Sequence, residues 1–179
     1  MKILIAGHFG AGKTTLVQGL SEIEPVSTEE VMTSAGVGVD HIETPGKTTT
    51  TVAMDFGRMH LSDNLVLYLF GAPGQPRFFE ILQDLARGAL GALILTRTDR
   101  LEETFPILEL VEHLQLPHLV AVNAFDGAAQ YPEARLREAM ALDERTPMDV
   151  CDARDPLSTK ASLANLIRYL LTLTPEPVR

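Results

Sequence analysis

Gly7 to Thr15, reading G-H-F-G-A-G-K-T-T, constrains this chain more than any other stretch. It follows the apolar run Ile3 to Ala6 and precedes Leu16 and Val17, so a strand enters it and a helix leaves it. The G-x-x-x-x-G-K-T spacing in that context is a phosphate-binding loop. Gly7, Gly10 and Gly12 free the backbone to curl, and consecutive N–H groups with the positive end of the helix then surround a β-phosphate. Lys13 reaches the β- and γ-oxygens, and the Thr14 hydroxyl is an expected Mg²⁺ ligand. The expected nucleotide-binding set here is Gly7, His8, Phe9, Gly10, Ala11, Gly12, Lys13, Thr14 and Thr15.

A nucleotide is a better ligand for this chain than a nucleic acid. Lys and Arg number 15 against 24 Asp and Glu, a net charge of −9, which leaves no general basic footprint. The 179 residues fit one domain, 1–179, with a core that needs no disulfide. Cys151 has no partner for one and suits a reducing cytoplasm. The apolar run after Lys2 is too short for a signal peptide, and no stretch reaches the length of a membrane span. The end P-E-P-V-R lacks a prenylation cysteine, so membrane contact is expected only through a partner.

The order of elements predicts an α/β fold, a mostly parallel six-stranded sheet with helices on both faces. Strands are expected at 2–6, Thr51 to Met59, Leu65 to Phe70, Leu90 to Thr96, His118 to Asn123 and Met148 to Cys151. The second and third form a hairpin through Ser62-Asp63-Asn64. Helices are expected at about 13–22, 78–87, 104–115, from Pro132 to Leu142, and 158–171. The last helix sets Leu163, Leu166, Ile167, Leu170 and Leu171 on one face. From Ile23 to Thr50 there is no periodicity beyond a short element near Thr28 to Met32, and long connections of that kind tend to be functional or disordered.

Gly7, Gly71 and Asn123 each end a strand, and ligands of such sheets collect beyond those ends. In Gly71-Ala72-Pro73-Gly74-Gln75-Pro76, the Gly74 N–H is placed to reach a γ-phosphate and Gln75 to orient an attacking water. In Asn123-Ala124-Phe125-Asp126, the Asp126 carboxylate is suited to accept from guanine N1–H and its exocyclic amine, whereas adenine turns an acceptor toward it. Asp152, Ala153 and Arg154 follow the last strand and offer backbone N–H groups to the base carbonyl.

In order and spacing these loops resemble those of the Ras-like small GTPases, whose G domain carries the P-loop NTPase fold, and the likeness covers essentially the whole chain. T-V-A-M-D-F at 51–56 is similar to T-I-G-V-D-F, which implies that Thr51 is the switch I threonine on Mg²⁺ and that about 23–50 is a long switch I region. F-G-A-P-G-Q-P-R-F at 70–78 is similar to W-D-T-A-G-Q-E-R-F, making Gln75 the catalytic glutamine. Asn123 to Asp126 corresponds to N-K-x-D, and Asp152 to Arg154 to S-A-K. K-T-T-T-T-V-A-M-D-F-G-R, L-V-L-Y-L-F-G-x-P-G-Q and C-D-A-R-D resemble the bacterial conservon-encoded GTPases. That resemblance implies GTP, GDP and Mg²⁺ as ligands, a roadblock/LC7-type partner and a switch role in bacterial signalling.

Departures from the pattern bear on mechanism. Gly71 stands where Ras-like chains have the aspartate that holds Mg²⁺ through water, and Asp55 is one candidate to replace it. Ala124 replaces a lysine, which leaves Asp126 as the main guanine determinant. Phe9 replaces a small residue beside the γ-phosphate, where bulk crowds an incoming arginine finger, so hydrolysis is expected to be slow. A nucleotide-dependent scaffold with negligible turnover, a less base-selective P-loop NTPase and a P-loop kinase remain as alternatives on sequence alone.

Overall fold

The computed structural model describes residues 1–24, 26–27 and 54–173. Their backbone builds one sheet of β1 (Lys2–Gly7), β2 (Val26–Ser27), β3 (Asp55–Ser62), β4 (Leu65–Gly71), β5 (Gly91–Thr96), β6 (His118–Asn123) and β7 (Met148–Cys151). The order across it is β2-β3-β4-β1-β5-β6-β7. From β4 to β7 all pairings are parallel, while the β3–β4 hairpin and the edge strand β2 run antiparallel. The expected six strands are present, and the two-residue β2 adds a seventh at the edge.

Helices α1 (Lys13–Leu20), α2 (Phe79–Ala86), α3 (Phe105–His113), α4 (Glu133–Ala139) and α5 (Pro156–Leu173) cover both faces. A 3-10 turn leads into α2 at Pro76–Phe78 and another into α3 at Leu101–Thr104. Pro106 therefore lies in the first turn of α3, where the missing N–H costs no hydrogen bond. Successive β1 side chains separate the two cores. Ile3 and Ile5 join Leu16, Val17, Leu163 and Leu166 of α1 and α5, whereas Leu4 and Ala6 join Leu82, Ile107, Val111 and Leu136 of α2, α3 and α4. Burial on both faces explains why β1, β5 and β6 are continuously apolar.

Two details depart from the sequence-based expectations. On α5, Leu163 and Leu166 are buried and Ile167 and Leu170 pack beside them, but Leu171 is 67% exposed, because it is turned about 100° away from Leu170, which still meets β5 at Gly91. The second expected strand runs later than Thr51 to Met59: Met54 is outside it, and Asp55 to Ser62 pair with β4 through the turn at Asp63 and Asn64. Its buried positions are Asp55, Gly57 and Met59, so an acidic side chain shares a face with α1. Phe56 points the other way and meets Tyr68 and Phe70.

The chain turns from β1 toward β3 and β4, then returns past β1 to β5, β6 and β7. The crevice where strand order reverses lies at the carboxyl end of β1, where Gly7 begins its loop.

Candidate nucleotide-binding site

The loop between β1 and α1 takes the shape that its glycines permit. Gly7, Gly10 and Gly12 all have positive φ, at 143°, 77° and 103°. Two of them are also crowded: a Cβ on Gly7 would lie 2.4 Å from the Leu95 carbonyl oxygen, and one on Gly12 2.5 Å from Asn123 Nδ2. Lys13 folds back over the loop, its ammonium donating to the carbonyls of Gly7 and His8 at 2.8 Å each. Burial pushes the Lys13 ammonium down to about 8, with the Asp55 carboxylate acting in the opposite direction. Thr14 and Thr15 are exposed at the start of α1.

The Thr14 hydroxyl donates to Asp55 Oδ2 at 2.7 Å. Gly71 is the residue paired with Asp55 across the β3–β4 ladder. A Cβ on Gly71 would stand 2.9 Å from the Asp55 Cβ and 3.0 Å from its Oδ2, so the bare position makes the room in which that carboxylate sits. Beyond Gly71 the chain lies down on the phosphate loop: a Cβ on Gly74 would be 2.5 Å from the His8 carbonyl carbon and 2.6 Å from Gly7 O and Phe9 N. Gln75 follows at the head of the Pro76–Phe78 turn, and its side chain makes no cap hydrogen bond there.

His8 and Phe9 part company. The His8 ring is buried, with Nδ1 2.8 Å from the Phe9 carbonyl and 3.5 Å from Glu103 Oε2, and desolvation lowers its basicity. What His8 offers the loop is its backbone. The Phe9 ring is 57% exposed at the loop's rim.

At the other end of the crevice, Asn123 ties two loops together. Its Nδ2 donates to the Ala11 carbonyl at 2.8 Å, and its Oδ1 accepts from Ala153 N–H at 2.9 Å. Both bonds are buried, so each is sheltered from competing water. Asp126 and Asp152 lie on either side of Arg154, which donates to both. Those bonds hold both carboxyls below their usual range, Asp152 down to about 2. Thus every expected site residue from 7–15, 74–75, 123–126 and 152–154 stands around the strand ends. Thr51, the other expected metal ligand, lies outside the described residues, as do Thr28 to Met32 and most of 23–50.

A family model described as conserved hypothetical ATP binding protein matches residues 5–178. The chain belongs to that family. No curated protein matches it in sequence. Among solved structures it is similar to the G domain of the T. maritima FeoB iron transporter, with TM-score 0.65 and 17% identity over 94% of this chain and 98% of that one. The cytosolic domain of the same transporter in GMPPNP form gives TM-score 0.66 and 16% identity, covering 99% of this chain and 67% of that one. Its GDP form I gives 0.65 and 16%, covering 94% and 62%. At such identities the likeness is one of fold: this member of the family has the P-loop G-domain architecture.

Two features of this site were not legible from motifs. Nothing in the sequence pairs Arg154 with Asp126, since they lie on different loops, and nothing pairs His8 with Glu103. Cys151 closes β7 next to the loop of Asp152 to Arg154, 1% exposed, its thiol pushed up to about 12 chiefly by burial and further by Asp149 and Asp152. At pH 8 the thiolate fraction is then on the order of 1 in 10,000. Iodoacetamide is expected to leave Cys151 unmodified in the folded protein and to alkylate it once urea unfolds the chain; rapid labelling without denaturant would contradict its burial.

Among the described residues no helix is long and apolar enough to cross a membrane.

Proposed function

We propose that the chain is a guanine-nucleotide switch that binds GTP or GDP with Mg²⁺, hydrolyses GTP slowly, and acts with a roadblock-type partner in bacterial signalling. One observation carries the catalytic part. Lys13, Thr14, Asp55 and Gly74 converge at the phosphate loop, while Asn123 links that loop to the side where Asp126 waits for a base. The partner, the signalling role and a cytoplasmic location rest on the resemblance of the sequence to conservon-encoded GTPases.

Thr14 Oγ1 and Asp55 Oδ2 are hard oxygens 2.7 Å apart, a donor set that suits Mg²⁺. When bound, the ion neutralises charge that develops between the β- and γ-phosphates. Asp55 then does from β3 what an aspartate at position 71 does in Ras-like chains. Lys13 adds its ammonium to the same oxygens, and phosphate restores the charge that burial disfavours. Gln75 orients a water at the γ-phosphorus: a new P–O bond forms as the bond to the β-phosphate bridge breaks, and GDP leaves with its electrons. The exposed Phe9 ring narrows the approach of an external arginine, which leaves the chain's own groups to supply the rate.

Base choice falls to Asp126. An ionised carboxylate only accepts, so guanine satisfies it and adenine opposes it. The family's description names ATP, and competition separates the two.

Single-turnover release of γ-phosphate tests the reading. The intact protein is expected to hydrolyse GTP slowly and Gln75→Ala to be at least about tenfold slower still. Equal, near-zero rates would leave a nucleotide-dependent scaffold instead. ADP displacing labelled GDP as well as GDP itself does would remove the role given to Asp126.

A further inference from the structure

Resting on that reading, which gives Asp126 to guanine, we propose that Arg154 is an internal competitor for the base: it grips Asp126 with the donor pattern guanine would use, and nucleotide must displace it. Arg154 Nη1 donates to Asp126 Oδ2 at 2.8 Å and Nη2 to Oδ1 at 3.1 Å. The N1–C2–N2 edge of guanine is itself a guanidine unit, a carbon carrying two N–H donors side by side. It meets a carboxylate through the same two parallel bonds that a guanidinium forms. Base and arginine therefore ask for the same faces of the same two oxygens.

Arg154 has somewhere to go when displaced. Asp152 holds it from the other side, accepting from Nε at 2.9 Å and from Nη2 at 2.8 Å, and its Oδ1 also accepts from the Arg154 backbone N–H at 2.9 Å. Swinging away from Asp126 thus leaves the guanidinium with an anionic partner. The grip is also modest, because the two side chains are 56% and 87% exposed and water and salt screen them. A competitor of that strength lowers guanine affinity without abolishing it, by about fivefold when it occupies Asp126 for most of the time. It acts at the base end only; Lys13 and Thr14 are on another loop.

The test is displacement of a fluorescent GDP analogue by GDP and by ADP, with the intact protein, Arg154→Ala and Arg154→Lys. The readout is the ratio of GDP to ADP affinity, in which a general loss of positive charge cancels because both nucleotides carry the same charge. Arg154→Ala is expected to raise that ratio about fivefold. Arg154→Lys is expected to give part of the rise, since a single ammonium cannot form the two-bond fork. The difference from the intact protein is expected to shrink with added salt. An unchanged or lowered ratio, with the intact protein still preferring GDP, overturns the competitor and leaves the guanine reading standing. An intact protein that does not prefer GDP overturns both.

Discussion

Asp55→Ala is expected to reduce the gain in GDP affinity conferred by Mg²⁺ at least about tenfold, and the double exchange Asp55→Gly with Gly71→Asp to recover most of it. The two positions are directly paired on β3 and β4, so their side chains project on one face. Asp55 reaches the Thr14 hydroxyl from its strand, and an aspartate on the neighbouring strand would enter the same volume. Only one of them fits. Gly71→Asp alone places a Cβ 2.9 Å from that of Asp55 and sets two carboxylates side by side, which is expected to destabilise the fold by about 1–3 kcal/mol. The double exchange distinguishes a moved ligand from a merely structural acid, because a structural role gives no reason for recovery. The measurement is GDP affinity across an Mg²⁺ titration, with melting curves to follow folding. A full Mg²⁺ effect in Asp55→Ala would sink the assignment.

Gly12→Ala is expected to cost about 2–4 kcal/mol of stability and to lower nucleotide affinity at least about tenfold. Its φ of 103° strains any side chain, and the new Cβ would sit 2.5 Å from Asn123 Nδ2 and 3.3 Å from the Ala153 Cβ. Asn123 would have to move. Doing so breaks its buried bonds to Ala11 and Ala153, which nothing else in the described structure replaces. Gly10 provides the contrast: its φ is also positive, but nothing lies within 4 Å of an added Cβ. Gly10→Ala is expected to cost only about 1 kcal/mol, the price of the left-handed backbone. Urea denaturation of the two variants decides the matter, and equal losses would show that backbone strain alone, not the Asn123 contact, governs the loop.

Much of this was written in short-range signals. The glycine spacing at 7–12, the apolar runs of β1, β5 and β6, and the loops at the strand ends are local features, and the sheet topology follows from their alternation. What the sequence left open depends on register. Whether Asp55 or Phe56 faces the core is decided by how β3 pairs with β4, because a shift of one residue exchanges the faces. Leu171 reads as core by its spacing from Ile167, but how far the buried stripe of α5 extends around the helix is set by how the helix sits on the sheet, and the stripe stops at Leu170. The pairing of Arg154 with Asp126 joins side chains 28 residues apart and exposed to solvent, and no periodicity encodes such a contact.

Asn123 gives the site a mechanical unity. Through one amide, the carbonyl of Ala11 in the phosphate loop and the N–H of Ala153 in the loop after β7 are fastened to the same strand end. Truncating that amide in Asn123→Ala is therefore expected to leave the Ala11 carbonyl and the Ala153 N–H without their partner together and to loosen both loops at once.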